Sequence, residues 1–285
     1  MDLLLASITD GLLIGFIYGI AAMGLTLIFG VMDVINLAHG PIIALGMFGV
    51  HQLFTGFGIH PYIALLLVAI FGLILGVIIY LSAVQRVIDA PHLSSLLATF
   101  SINMIIIGLG TAAFSTAPYN VEFSLGRLSI GPITLLGTRV IGALAALLAT
   151  AGLYIFLYRT RQGRYIRAVA NNRSAAELVG VPSNQILALS FGLGTMLAAI
   201  SGALIATFFP FTILAGGTYE LKSFVIVVLG GLGNPVGALF GGLILGLIEG
   251  IIPTIMETTW VPVVEFVLFV VILLIRPSGL LGAKQ

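Results

Sequence analysis

The chain has 285 residues, of which 11 are Lys or Arg and 10 are Asp or Glu; 7% carry charge and 60% are hydrophobic. A soluble domain carries roughly 25% charged residues, and so few charges cannot cover a globule of this length. That excludes a soluble enzyme, a nucleic-acid binder and a disordered linker. Apolar runs of bilayer-spanning length make lipid the solvent for most of the chain.

The absence of Cys removes disulfides, thiolate metal sites and a cysteine nucleophile. Met1-Asp2-Leu3 offers no basic n-region and no cleavage site follows, so the first apolar run is expected to be a span and not a removed leader.

Polar, Gly and Pro breaks divide the chain into nine apolar segments, near 8–30, 40–57, 61–84, 93–117, 138–158, 185–208, 218–232, 235–253 and 260–275. This predicts an all-α, polytopic transmembrane helix bundle of about eight or nine spans, forming a single domain over 1–285. Most segments are long enough to cross ~30 Å at ~1.5 Å per residue. The 218–232 segment is too short to cross comfortably. It meets its neighbour at Gly230-Gly231-Leu232-Gly233-Asn234-Pro235, where Asn234 can cap a helix and Pro235 can take its first position. With a similar break near 36–41, the pattern reads as broken helices, which a membrane tolerates only where protein or a water-filled cavity covers the freed backbone.

Arg159, Arg161, Arg164, Arg167 and Arg173 place five of the eleven cations within fifteen residues, so this loop is expected to be cytoplasmic. Counting nine spans outward puts Arg86, Arg276 and Lys284 on the same side and Arg127, Arg139 and Lys222 on the other. The N-terminus, with Asp2 and Asp10, then lies outside.

Glycines fall into helical ladders: Gly11, Gly15 and Gly19 in the first segment, and Gly233, Gly237, Gly241 with Gly242, Gly246, Gly250 in the eighth. Such ladders let backbones approach closely, either inside the chain's own bundle or against an oligomeric partner. Pro41-x-x-Ala44-Leu45-Gly46 and Pro235-x-x-Ala238-Leu239 form a weak internal echo, each starting a helix after a break.

Residues 160–184 are the most polar stretch. At 100° per residue, Tyr165, Ala168, Val169, Ala175, Ala176 and Val179 share one stripe interrupted by Asn172, with Arg164, Arg167, Asn171, Ser174 and Glu177 around the rest. Arg173 and Glu177 are an i, i+4 pair. Gly180 stands where a C-terminal cap belongs, Pro182 blocks continuation, and Ser183 can cap the next span. One short amphipathic helix over 163–179 is expected, resting on lipid headgroups or docked in a partner's groove.

At this loop Arg167-Ala168-Val169-Ala170-Asn171-Asn172, with Ala175-Ala176 and Gly180, resembles the coupling segment of permeases from ABC importers of the branched-chain amino acid type. Three further stretches resemble the same family in order: Asn36-Leu37-Ala38-His39-Gly40; Gly230 through Ala238 with Gly241-Gly242 and Glu249; and Arg276-Pro277-Ser278-Gly279-Leu280-Leu281-Gly282. The resemblance implies a transmembrane subunit that forms the translocation pathway for branched-chain or related amino acids. It also implies pairing with a second, homologous permease, two cytoplasmic ATPases, and delivery of substrate by an extracytoplasmic binding protein. Arg164, Arg167, Val169, Asn172, Ala175, Ala176, Glu177 and Gly180 would then couple to the ATPases. The sequence holds no G-x-x-x-x-G-K-[ST], so no cofactor is expected on this chain and ATP enters through the partners.

An ionisable group at mid-bilayer costs about 2.5–3.5 kcal/mol, so each needs a partner or a role. Glu249 would lie ~21 Å along a helix begun at Pro235, bridging a neighbouring helix or facing an outer vestibule. Asn36 and His39 flank the first break and either line a pathway for a zwitterion or cap exposed helix ends. Asn103, with Thr99, Ser101 and Thr111 in one span, faces a cavity or bonds between helices. Asn36, His39, Asn103, Asn234 and Glu249 are therefore the candidate pathway residues. No H-E-x-x-H, G-x-S-x-G or plausible carboxylate pair supports catalysis. The competing class is an ion- or proton-coupled secondary transporter of a small polar solute, with Glu249 as its coupling site.

Overall fold

The computed structural model describes residues 2–130, 133–276 and 279–282. Lys284, and Pro277 and Ser278 of the terminal motif, lie outside these. The described chain is helical throughout its apolar segments: α1 (Asp2–Met32), α2 (His39–Phe57), α3 (Pro61–Ile79) continuing through a π-turn Tyr80–Val84 into α4 (Gln85–Val87), and α5 (His92–Phe114). A hairpin of β1 (Arg127–Ile130) and β2 (Ile133–Leu136), antiparallel with Arg127 opposite Leu136, precedes α6 (Gly137–Arg159). Then come α7 (Arg161–Asn171), α8 (Arg173–Leu178), α9 (Ser183–Ile205), α10 (Ala215–Gly230), α11 (Pro235–Ile255) and α12 (Val261–Ile275). Eight helices among the described residues are long and apolar enough to span a membrane. The 16-residue α10 is not one of them, since at 1.5 Å per residue it reaches only about 24 Å.

The glycine ladders explain how the bundle closes. A Cβ on Gly15 would stand 2.8 Å from the Gly242 carbonyl oxygen and 2.9 Å from Leu243 Cα, and one on Gly30 would stand 2.8 Å from Gly233 Cα. As numbers rise along α1 they fall along α11, so the two helices run antiparallel, backbone on backbone. The ladders are used inside this chain. A second seam joins α3 to α9, where a Cβ on Gly76 would meet Gly192 Cα at 2.9 Å and one on Gly192 the Leu73 carbonyl oxygen, also at 2.9 Å. Close approach here replaces hydrophobic burial, which lipid does not drive.

α1 and α9 form the core and are mostly buried, whereas α5 and α12 are mostly exposed. At one end Phe48 stacks on Phe114 with ring centroids 4.2 Å apart, and the edges of Tyr119 and Phe211 meet it at 5.1 Å. Tyr119 and Phe211 also exchange backbone hydrogen bonds of 2.8 and 3.0 Å, tying the loop after α5 to the loop after α9. That end also holds the β-hairpin and the Arg139–Asp10 ion pair between α6 and α1. The opposite end holds α7 and α8.

The expected single amphipathic helix over 163–179 is two helices. Asn172 is extended (φ −161°, ψ 103°) and its side-chain oxygen accepts from the Ala175 N–H at 2.9 Å, so it caps α8 instead of continuing α7. The stripe divides accordingly. Ile166, Val169 and Ala176 are buried, while Val179 is 80% exposed and Leu178 89% exposed. Gly180 does cap the end at φ +83°, with its N–H on the Glu177 carbonyl and that of Val181 on the Ala176 carbonyl, both 3.0 Å. Ser183 does not cap α9: it is the first helical residue, and its buried hydroxyl has no partner.

Candidate functional site

The first break is built from side chains that feed backbone groups. α1 ends at Met32, and Asp33 turns the chain at φ +52°, a conformation Asp tolerates better than most residues. Residues 33–38 then run non-helically against the bundle, with Val34, Asn36 and Ala38 buried. Apolar surroundings leave no water for their carbonyls, so protein must supply the donors. Thr99 of α5 donates to the Ile35 carbonyl at 3.1 Å, and Asn103, one turn further, donates from Nδ2 to the Leu37 carbonyl at 2.6 Å. Asn36 Oδ1 accepts from the Ala38 N–H at 3.1 Å. His39 lies 2.8 Å from the Ala21 carbonyl through Nε2; a carbonyl only accepts, so Nε2 carries the hydrogen.

Asn36, His39 and Asn103 are thus brought together, with Asn36 in the non-helical segment and His39 at the start of α2. Sequence reasoning missed Glu220 of α10, which completes the group. Its Oε2 stands 3.5 Å from Asn103 Nδ2, and only 8% of the residue is exposed. A Cβ on Gly40 would lie 2.7 Å from Glu220 Cβ, so only glycine lets the start of α2 touch α10. Asn36 Nδ2, His39 Nδ1 and Asn103 Oδ1 are buried without a partner.

Asn234 lies elsewhere. It caps α11, accepting from the Val236 and Gly237 N–H groups at 3.1 Å each, with Pro235 as the first helical residue. Its Nδ2 donates to the Leu281 carbonyl at 2.9 Å, while the Leu280 N–H donates to the Leu229 carbonyl at 2.8 Å, so the terminal motif is pinned to the α10–α11 break. Asn234→Ala is expected to cost about 1 kcal/mol through the lost cap and to release residues 279–282. A lowered midpoint in detergent, with earlier proteolysis near Leu281, checks this.

Glu249 sits in a third place. It pairs with Lys222 of α10, whose Nζ is also 3.8 Å from Glu265 Oε1 of α12 and 5.0 Å from the Tyr18 ring centroid. Lys222 and Glu249 side chains are each 15% exposed and Glu265 6%. Lys222 and Glu249 face an open cleft of about 520 Å³ that also holds the Asp10–Arg139 pair and the apolar walls Ile14, Phe209, Pro253 and Val261. Glu265 carried the same signal as Glu249, a carboxylate inside an apolar segment, and sequence reasoning passed over it.

The coupling candidates cluster at the far end. Arg167 is exposed and places its guanidinium 4.6 Å from the Tyr158 ring centroid. Arg173 bonds Glu177 at 3.2 Å, as the spacing predicts, and Asp89 at 2.8 Å. Val169 and Ala176 are buried, and Arg164, Asn172, Ala175, Glu177 and Gly180 are exposed. Among the described residues no group of three or more His, Asp or Glu is placed to hold a metal ion.

An all-α bundle of eight apolar helices, with irregular backbone and charged side chains sealed inside it, is a multi-pass membrane protein of the transport class. The family described as branched-chain amino acid transport system / permease component matches residues 7–275, and the chain belongs to it. Among its relatives, the high-affinity branched-chain amino acid transport system permease protein LivH of Escherichia coli (strain K12) is 27% identical over 97% of this chain and 94% of its own. The corresponding BraD protein of Pseudomonas aeruginosa is 29% identical over 99% and 96%. The ribose import permease protein RbsC of Escherichia coli (strain K12) is 29% identical over 79% and 70%.

Proposed function

We propose that this chain is the membrane subunit of an ATP-driven ABC importer of branched-chain or related amino acids. It would pair with a second permease, take force from two cytoplasmic ATPases and receive substrate from an extracytoplasmic binding protein. Family membership supports the permease role, and the amino-acid relatives match end to end where the ribose relative covers 70% of its own length. The Arg-rich end is assigned to the cytoplasm, which puts the Lys222–Glu249 cleft outside. Glu249 is assigned to the pathway mouth; deeper along the pathway, Asn36, His39 and Asn103 hold the break after α1 and Asn234 holds the break before α11.

The observation that carries the coupling assignment is the shape of α7 and α8. Their inner faces bury Ile166, Val169 and Ala176, Arg173 braces α8 to Asp89 and Glu177, and Leu178 and Val179 stand exposed at the tip. A rigid element that presents two apolar side chains at the polar end suits a groove in a soluble partner. The docking contacts are therefore assigned to Leu178 and Val179 rather than to Ala176, which is buried.

Leu178→Asp with Val179→Asp is expected to leave insertion intact and to abolish substrate-stimulated ATP hydrolysis and uptake in proteoliposomes. Normal uptake by the double variant would refute the docking assignment. Depleting ATP while an ion gradient persists separates this reading from a secondary carrier, because only the carrier keeps working.

A further inference from the structure

The cleft of about 520 Å³ is lined by Asp10, Arg139, Lys222 and Glu249, and Lys222 also faces Glu265. Three carboxylates and two cations leave one negative charge in excess. Groups this buried are normally matched one to one. Here Lys222 is shared: it pairs with Glu249 and stands 3.8 Å from Glu265, whose Oε1 is buried without a hydrogen-bond partner. On the α6 side, Arg139 holds Asp10 and lies 5.5 and 5.3 Å from the Phe208 and Phe209 ring centroids, and its buried Nε also lacks a partner. Arg139, Lys222 and Glu249 thus line one cleft with the apolar Ile14, Phe209, Pro253 and Val261, and Glu265 stands outside that lining as a second carboxylate near the Lys222 Nζ.

We infer that this cleft is a transient binding site for a zwitterionic amino acid with an apolar side chain. Lys222 moves its pairing from Glu249 to Glu265, freeing Glu249 to receive the ligand's ammonium, while Arg139 receives its carboxylate and the apolar walls take the side chain. Glu265 touches no ligand in this scheme; it is a positioning residue that gives Lys222 somewhere to go. After the exchange Lys222 is paired with Glu265 and Glu249 with the ligand's ammonium, while Arg139 is shared between Asp10 and the ligand's carboxylate, so each cation keeps a carboxylate partner. The inference rests on the amino-acid import reading and deepens it.

The test uses the assembled permease–ATPase complex in lipid nanodiscs without binding protein, and measures equilibrium binding of radiolabelled L-leucine. Competition is measured with 3-methylbutylamine, which lacks the carboxylate, and with 4-methylpentanoate, which lacks the ammonium. Saturable leucine binding that neither analogue displaces efficiently is expected. Glu249→Gln should weaken leucine binding by about tenfold to a hundredfold, the cost of one charge-assisted contact, and shift preference toward 4-methylpentanoate because Lys222 is then released. Glu265→Gln should weaken leucine binding similarly by locking Lys222 on Glu249, and Glu265→Asp should restore it. A merely structural pair would not change analogue preference. Leucine binding within about twofold of wild type in both Gln variants, with monodisperse protein, overturns the site. ATP-driven leucine uptake by the same preparations, with binding protein added, distinguishes the failures: uptake with unchanged binding removes the site and leaves the import reading. Absence of any ATP-driven amino-acid uptake by wild type removes that reading, and the nanodisc binding then decides the site by itself.

Discussion

Gly246→Leu is expected to prevent the bundle from assembling. A Cβ at Gly246 would meet Gly15 Cα at 2.5 Å and Gly15 N at 2.6 Å, with the Gly11 carbonyl oxygen closer still. Overpacking costs about 1–3 kcal/mol where side chains can rotate away. Here the obstacle is the backbone of α1, the most deeply embedded helix along with α9, so relief requires the two helices to separate along their length. A fluorescent-protein fusion in detergent should yield roughly a tenth or less of the wild-type monodisperse peak, beyond the usual range for a point substitution. Gly152→Leu is the matched control: nothing lies within 4 Å of a Cβ there, and replacing a helical glycine gains a few tenths of a kcal/mol in propensity. Equal yields from both variants would show that α1 and α11 are not in backbone contact.

The two ladders were legible because small residues recurring every four positions state their own spacing; that they meet each other, and not a partner, is set by the bundle. The α10–α11 break was legible for a similar reason: a cap, a proline at the first position and preceding glycines are local signals. So was Gly180, whose positive φ follows from its position after a short helix. What could not be read was any pairing set by the bundle. Asp10 and Arg139 are 129 residues apart and Lys222 and Glu249 are 27 apart, and nothing in local spacing says that α1 meets α6 or that Glu265 stands behind both partners of an ion pair. Glu220 was hidden by its surroundings, since a lone carboxylate after Tyr219 looks like the polar start of a short helix until α2 and α5 are packed against it.

The amphipathic loop failed in a more instructive way. Helical periodicity was extended through Asn172, but Asn competes for backbone hydrogen bonds and starts helices better than it continues them. A break at that one residue moves Val179 from the buried stripe to the exposed tip. The proposed coupling surface accordingly lies at Leu178 and Val179 and not on the Ala176 face, and the substitution that tests it changes with it. Asn103, offered as facing a cavity or bonding between helices, bonds across helices: with Thr99 it supplies two donors one helical turn apart on α5 to the non-helical segment after α1.

Lys222→Met is expected to be the most damaging single charge removal in the chain. With the lysine in place, Glu249 and Glu265 share one ammonium at side-chain exposures of 15% and 6%. Without it, two carboxylates remain buried within reach of one cation's former position, repelling each other and lacking a counter-ion. Breaking a buried pair by deleting one partner typically costs about 3–5 kcal/mol, most of it the stranded charge rather than the lost attraction. For a chain of this size each kcal/mol moves the midpoint by about 2–4 °C, so a fall on the order of 10 °C is expected in the apparent melting temperature of the detergent-solubilised complex. The cause is separable from lost packing by removing the stranded charges. Lys222→Met combined with Glu249→Gln and Glu265→Gln should recover most of the stability, because neutral amides of nearly the same shape need no ammonium between them. Recovery in the triple variant with collapse in the single one identifies electrostatic stranding as the term that dominates. If the single variant melts with wild type, α10, α11 and α12 are held by their helix packing alone and the lysine is free to serve the cleft without structural duty.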